Sequence, residues 1–471
     1  MTAQIESAAG AHATDTAALV ALERSFRGEL VRPGDGTYDV RRAVWNGSID
    51  RHPALVARCA DVTDVIAALA FARRTGLIVA VRSGGHSFPG LSVCDGGVVI
   101  DLRSMDQIRV DREAGVVRAQ AGVLLGELDR ATQAFGLAVP IGSVTTTGLA
   151  GLTLGGGFGW LMRKYGLAID QLLSVEVVTA EGDVVHASAA ANPDLFWGVR
   201  GGGGNFGIVT DFEYRLQPVG PTVLSGLVLW PLDEAPTVVR LYRDWAAIAP
   251  DELTTALVLR RAPAIDLIPE SLHGHPVVGV ACCWVGPVDR GEKVLAPMRR
   301  FGSRAVDLIA LRPFVEHQAL LDSAFPPGIW IYSKATDVIA LSDDVLDMIL
   351  DQAARIASPL SGIIAWQLGG AVASVGELET PFGSRSSGFL VDILGATDSA
   401  NGFEQERDWA RDCWSALAPH HAGAYVNWLM DEGELRVREA YGEERYARLQ
   451  AVKRKYDPEN VFRLNQNIRP A

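Results

Sequence analysis

The stretch "VRSGGHSFPG", residues 81–90, places His86 directly behind two glycines and just past the apolar run "GLIVAV". A short, β-branched apolar run reads as a strand, so His86 sits on a loop leaving a strand end. Serial glycines leave backbone N–H groups unobstructed, which is how backbone cradles an anionic phosphate. The spacing is not G-x-G-x-x-G, so a nicotinamide dinucleotide fold is not indicated. Taken alone, the stretch also reads as a tight turn carrying a surface histidine.

Working outward, residues 61–76, "DVTDVIAALAFARRTG", predict a helix with Asp61 or Thr63 as its cap and Gly76 as its stop. Strands are expected at 77–81, 97–102, 115–123 and 207–216. A second helix is expected at 124–136, and a hairpin in "LLSVEVVTAEGDVVHAS" turning at Glu181-Gly182-Asp183. The first ~217 residues thus read as α+β. A Pro/Gly boundary, "QPVGPT" (217–222), opens a region to about 424. There "TVLSGLVLW", "PVVGVACCW", "GIIAWQLGG" and "GFLVDIL" alternate with helices at 233–249, 287–301, 343–357 and 401–418. This predicts one antiparallel sheet with helices on one face, the other face free to line a pocket. Residues 425–471 are too few to fold alone and should dock on an earlier domain.

Composition narrows the partners. A net charge of -13 argues against nucleic acid or an anionic membrane surface, and no apolar run is long enough for a span. Five cysteines without CxxC spacing argue against a disulfide framework or zinc site and point to a reducing, cytoplasmic setting. The N-terminal stretch reads as a tail leading into a helix, not a signal peptide. Glycine is abundant, 49 of 471, and much of the excess lies in two clusters. One is "IGSVTTTGLAGLTLGGGFGWLMRKYGL" (141–167), where backbone amides and the hydroxyls of Ser143 or Thr145–Thr147 suit a diphosphate, or glycines simply pack a helix on a sheet. The other is "GVRGGGGNFGIVT" (198–210), which suits closure over an adenine, or a flexible loop. Three glycine clusters with a strand-adjacent histidine favour a large dinucleotide.

"RSGGHSFPG", "GLAGLTLGGGFGWLMRKYGL", "LFWGVRGGGGNFGIVT", "YVNW" and "YDPENVFRLNQNI" occur in that order from about residue 40 onward. With them the sequence resembles the berberine bridge enzyme-like FAD-linked oxidases of the vanillyl-alcohol-oxidase group. The resemblance implies a PCMH-type FAD-binding domain of two α+β subdomains (40–217, completed by 425–471) and a substrate domain (218–424). It implies FAD held by Arg82, Ser83, Gly84, Gly85, His86 and Ser87. Further contacts come from Gly142, Ser143, Val144, Gly148, Leu149, Gly151, Gly155, Gly156 and Gly159, then Gly207, Ile208 and Val209, with Tyr425, Asn427 and Asn465 from the return. His86 matches the histidine bonded to the flavin 8α-methyl carbon. Relatives carry a second, cysteine link in a "GTCPT" stretch; Val144 stands there, so a single covalent link through His86 is expected.

A second departure bears on catalysis. Relatives that oxidise sugars read Tyr-X-Asn-Tyr and use the last tyrosine as base. Here the stretch is Tyr425-Val426-Asn427-Trp428, and indole has no acceptor nitrogen. Trp428 then packs the core or lines the pocket. Tyr332, Gln367, Asp392, Glu377 and Glu379 are the other candidates for the base. His420 and His421 are read as surface or supporting residues and not as a metal pair. Thr147 matches the position where the family gates oxygen. The implied activity is an FAD-dependent oxidase that moves a hydride from a small alcohol, amine or phenol-like substrate to flavin N5 and reoxidises with O2 to hydrogen peroxide. The alternatives are a dehydrogenase with another acceptor, or a silent flavin-binding protein. A monomer or homodimer is expected.

Overall fold

The computed structural model describes residues 17–264, 268–303 and 306–471. A helix runs over 17–25; the tail reading for residues 1–16 lies outside the described residues. The first sheet contains β1 (Glu29–Val31), β2 (Leu55–Arg58), β3 (Val79–Arg82) and β4 (Val98–Asp101), in the order β1-β2-β4-β3. β2 and β3 both run parallel to β4. The connection between β2 and β3 is the helix Val62–Thr75. Asp61 caps it, accepting from the N–H groups of Thr63 and Asp64, and Gly76 ends it at φ 71°. Its Val65, Ala68, Leu69 and Ala72 are buried at helical spacing.

The chain then forms β5 (Ile108–Asp111), β6 (Val116–Gln120), a short β7 (Leu137–Ala138), β8 (Leu172–Val178), β9 (Val184–Ser188), β10 (Ile208–Arg215) and a short β11 (Gln217–Pro218). Five of these make an antiparallel sheet, β5-β6-β10-β8-β9, while β7 and β11 pair as a ribbon. The expected hairpin is β8–β9. The helix read at 124–136 is Leu125–Gln133.

The third sheet has eight strands: β12 (Thr222–Pro231), β13 (Leu253–Arg261), β14 (Pro276–Trp284), β15 (Val306–Asp307), β16 (Ala310–Pro313), β17 (Trp330–Val338), β18 (Gly362–Gln367) and β19 (Phe389–Thr397). The order is β15-β12-β14-β13-β18-β19-β17, with β16 also on β12, and every pairing is antiparallel. Helices Ala235–Ala246, Asp343–Ala353 and Phe403–Ala416 pack on one face. Period-two alternation divides the strands cleanly. On β14, Val278, Val280, Cys282 and Trp284 join the helix-side core, while Cys283 joins the opposite one. On β18, Ile363 and Ala365 face the helices and Trp366 faces away. The helix expected over 287–301 is in fact Val288–Leu295 followed by a 3-10 turn, Met298–Arg300; Pro297 separates the two because its ring cannot continue an α-helix.

The C-terminal segment returns to the first two sheets. Tyr441, Tyr446, Leu449, Val452 and Ile468 share their core. Lys453 is fully buried; its Nζ donates to Asp457 Oδ2 (2.6 Å), to Asn205 O (2.8 Å) and to Phe462 O (2.9 Å). One ammonium thus ties the return to the glycine-rich loop at 201–207. No helix among the described residues is long and apolar enough to cross a membrane, and all five cysteines are free and buried.

Candidate active site

Arg82 ends β3 and anchors the loop that follows. Its guanidinium donates to Asp101 Oδ2 (2.8 Å) at the end of β4 and to the Arg41 carbonyl (2.5 Å). The loop then meets the 141–151 segment backbone to backbone. A Cβ on Gly84 would lie 2.2 Å from the Gly148 nitrogen, and one on Gly148 would lie 2.1 Å from the Gly84 nitrogen. Only glycine at both positions permits this approach. The approach sets two hydroxyls beside His86: Thr146 Oγ1 is 3.0 Å from Nε2 and Thr147 Oγ1 is 3.5 Å from Nδ1. Trp45 stacks on the imidazole, with ring centroids 4.8 Å apart and planes at 15°. Burial lowers the His86 pKa to about 4, so the ring is neutral at pH 7 and keeps a nucleophilic lone pair.

His86 borders a cleft of about 330 Å3, open to solvent, between the two glycine-rich loops and the third sheet. Ser83, Gly84, Gly85, Ser87, Gly142, Ser143, Val144, Thr147, Gly148, Gly151, Gly207, Ile208, Val209, Tyr425, Asn427, Trp428 and Asn465 border it too. Five residues expected to touch a cofactor do not border it. Arg82 lies beneath the loop. Leu149 is in the core, its N–H given to the Val123 carbonyl. Gly155, Gly156 and Gly159 permit close packing instead: a Cβ there would lie 2.1 Å from Asn427 Oδ1, 2.8 Å from the Phe382 ring and 2.0 Å from the Ile141 carbonyl. Glycine in this segment therefore serves two ends, part cradle and part packing.

The cradle suits a large dinucleotide. Gly151 and Gly204 border the cleft, and a Cβ on either would meet nothing within 4 Å. Ser92 Oγ and Asn465 Oδ1 are buried on its wall without a partner among the described residues. None of the described residues bordering the cleft is a lysine or arginine. A diphosphate would therefore be held by backbone amides and hydroxyls.

The opposite wall is aromatic. Phe158 contacts Trp366, Tyr425 and Trp428 edge-on at 5.4, 5.2 and 4.8 Å. Tyr425 is fixed: its hydroxyl accepts from Gly157 N (3.1 Å) and from Asn427 Nδ2 (2.8 Å). Burial pushes it up to about 12, so it holds its proton at neutral pH. Trp428 both packs on this cluster and lines the cleft. Asp392, on β19, is buried at the cleft wall; Ser333 Oγ donates to its Oδ1 at 2.9 Å, and burial pushes it up to about 7.

Two candidates are corrected. Gln367 and Tyr332 lie on the helix-covered face of the sheet, not in the cleft. Gln367 follows Trp366, which points into the cleft, so alternation turns Gln367 the other way. Its Oε1 accepts from Thr255 Oγ1 (2.8 Å), and its Nε2 donates to the Ala246 carbonyl (2.7 Å) at the end of a helix. Tyr332 precedes Ser333, which reaches Asp392; its own ring lies under the Arg411 guanidinium at 5.1 Å. Glu377 pairs with Arg445, and Glu379 accepts from Gly376 N; neither borders the cleft. His421 packs on Trp414 away from it. Trp45, Phe158 and Trp366 are cleft residues that the motifs alone did not single out. The period of "GIIAWQ" carried the signal for Trp366, but only once one face was known.

The FAD binding domain profile matches residues 53–188, and the profile "Berberine and berberine like" matches residues 424–469. The chain is 34% identical over 468 residues to (R)-6-hydroxynicotine oxidase of Paenarthrobacter nicotinovorans, covering 96% of this chain and 98% of that one. The crystal structure of 6-hydroxy-D-nicotine oxidase from Arthrobacter nicotinovorans superposes with a TM-score of 0.84 at 32% identity, over 95% of this chain and 99% of that one. The fold is also that of Physcomitrella patens BBE-like 1, with a TM-score of 0.87 at 23% identity over 96% and 99%. Together with the glycine-walled cleft around His86, these likenesses identify the chain as a member of the berberine bridge enzyme-like family of FAD-linked oxidoreductases, a family that includes oxidases.

Proposed function

We infer that this chain is an FAD-dependent oxidase of a small organic substrate, yielding hydrogen peroxide. The observation that carries the reading is one cleft with two unlike walls: a glycine-lined wall bearing a neutral His86, and an aromatic wall bearing Asp392. When bound, FAD supplies a ring that accepts a hydride at N5 and returns both electrons to O2. His86 would hold that ring through one covalent bond, made by a neutral imidazole nitrogen. Among the described residues no cysteine borders the cleft, and Val144 stands where relatives carry the cysteine link, which supports attachment through His86 alone. Ser83, Ser143 and the open edges of Gly151 and Gly204 would carry the diphosphate.

The substrate would lie between the His86 wall and the apolar rings of Trp366, Phe158 and Trp428. Trp428 cannot remove a proton, and Tyr425 is held protonated by burial. Among the described residues on the cleft wall, Asp392 is then the one carboxylate to take one. The hydroxynicotine oxidases that cover nearly the whole chain support a compact substrate. The protein would act on this substrate and O2 as monomer or homodimer.

Acid-precipitated protein should keep its yellow colour on the polypeptide, whereas His86→Ala should release it to the supernatant. Free FAD from acid-precipitated wild type would refute the covalent link. A substrate screen scored for peroxide should give at least one compound that bleaches the flavin under nitrogen and yields peroxide in air. Bleaching without peroxide in air would make the protein a dehydrogenase.

A further inference from the structure

Thr146 and Thr147 set their hydroxyls beside the two nitrogens of His86, and the turn that carries them is held from two sides. The turn is Val144–Thr147, closed by Thr147 N donating to the Val144 carbonyl at 3.2 Å. On one side the first turn of helix Leu125–Gln133 grips it. Leu125 N donates to the Thr147 carbonyl and Gly126 N to the Thr145 carbonyl, both at 3.0 Å. On the other side stands Asp322, on the segment that links β16 to β17. Its Oδ1 accepts from Thr145 N at 2.8 Å and its Oδ2 accepts from Thr145 Oγ1. Both oxygens of one carboxylate are thus spent on one threonine, and Thr145 itself does not border the cleft. The same segment holds the residue that covers the imidazole face. The Phe325 carbonyl accepts from Trp45 Nε1 and Gly328 N donates to the Trp45 carbonyl, both at 2.9 Å. The Ile329 carbonyl accepts from Gly47 N at 2.7 Å. One short stretch, 322–329, therefore grips both the turn at the edge of the His86 ring and the indole stacked on it.

We propose that Asp322 is a positioning residue for covalent attachment of FAD to His86. Through Thr145 it fixes the turn whose hydroxyls aim the imidazole. The proposal rests on the covalent reading and adds a requirement to it: the 322–329 segment must be docked before the bond forms. Attachment exchanges one imidazole N–H and one C–H of the flavin 8α-methyl group for a C–N bond. The two electrons released enter the flavin and leave, with both protons, on O2 as hydrogen peroxide. Such a bond needs the ring nitrogen aimed at the methyl carbon, and a misplacement of about 1 Å can cost on the order of a hundredfold in rate. Thr146 directly follows Thr145, so freeing Thr145 lets the turn move and takes the imidazole off its line. The device needs the two bonds of Asp322 and not its charge. An asparagine holds Thr145 equally well, its Oδ1 accepting from the N–H and its Nδ2 donating to the hydroxyl oxygen.

The test is the rate at which flavin becomes fixed to the polypeptide. Full-length apoprotein from riboflavin-limited cells is mixed with FAD in air and quenched with acid at intervals. Asp322→Ala should fix flavin at least roughly tenfold more slowly than wild type. Asp322→Asn should stay within about threefold of wild type. Thr145→Val, which keeps the N–H and the shape but loses the hydroxyl, should be slow, and Thr145→Ser should be fast. Asp322→Ala combined with Thr145→Val should be no slower than Asp322→Ala alone, because both changes break one contact. A wild-type rate in Asp322→Ala would overturn the proposal and leave the covalent reading standing. So would an asparagine variant as slow as the alanine one, or a double variant much slower than either single one. If Asp322→Ala does not fold, the Thr145 pair decides, and equal rates in Thr145→Val and Thr145→Ser overturn the proposal. FAD that acid releases from fully incubated wild type overturns the covalent reading and the proposal with it, while the peroxide screen still judges the oxidase.

Discussion

Thr147 occupies a narrow position, at the cleft wall and within reach of the His86 ring. If its side chain also borders the path of O2 to the reduced flavin, its size sets the rate of reoxidation. Threonine and valine have nearly the same shape, so Thr147→Val should change reoxidation little. Leucine moves the branch outward, and Thr147→Leu should slow reoxidation at least tenfold, about 1.4 kcal/mol of barrier. Stopped-flow mixing of reduced enzyme with oxygenated buffer reads this directly, and anaerobic reduction by substrate should be nearly unaffected. Unchanged reoxidation in Thr147→Leu would remove the residue from the oxygen path. At this scale the sequence is legible where chemistry is written into a motif and illegible where geometry decides. His86 announces itself between glycines. Asp392 looks like Gln367 and Tyr332 until the sheet's faces are assigned, because a one-residue step along a strand reverses the side. Trp45 carries no motif at all; it matters because an entire loop folds it over the histidine.

Among the elements, the contact between the 83–90 loop and the 141–151 segment is a close backbone constraint on the site. Gly84→Ala brings a methyl group against the backbone nitrogen of Gly148, which cannot move aside as a side-chain tip would. The expected cost is about 1–3 kcal/mol of stability, with a larger loss of bound flavin because the His86 loop is displaced. Thermal denaturation and the ratio of flavin to protein absorbance measure the two effects. A variant with full flavin content and unchanged Tm would show that the loops separate without consequence. Helices with caps were legible in the sequence for the same local reason: Asp61 and Gly76 bracket Val62–Thr75 by chemistry that needs no partner. Strand β13 was not. "LTTALVLRR" holds good helix formers beside β-branched residues, and only pairing with β14 and β18 on its two sides selects the strand.

For the molecule as a whole, buried carboxylates set the response to pH. Burial pushes Asp129, Asp337 and Asp392 each up to about 7. Such a group keeps its proton in the folded state at a pH where the unfolded chain has lost it. Stability is therefore fully present below about 4 and is lost as pH rises through about 7. Buried His86 and His317, lowered to about 4 and about 3, act in the opposite sense below about 6.5, where only the unfolded chain takes up their protons. Comparing wild type with one variant isolates a single carboxylate. Asp129 lies where helix Leu125–Gln133 meets Phe314–Gln318, accepting from Gln318 Nε2 at 3.0 Å. Asp129→Asn should match wild type near pH 4 and exceed its Tm increasingly up to about pH 7, with no further divergence above that, as read by scanning calorimetry. A constant offset across that range would mean that Asp129 is ionised throughout. The two-ended construction of the cleft has a consequence for how the protein is made. His86 leaves the ribosome long before Leu464 and Asn465, yet all three border the same cleft. At ~5–20 residues per second, the glycine loops wait on the order of tens of seconds for their last wall. Cofactor acquisition thus follows the synthesis and docking of residues 464–465, and in a cell starved of riboflavin the shortage would appear as folded, empty protein.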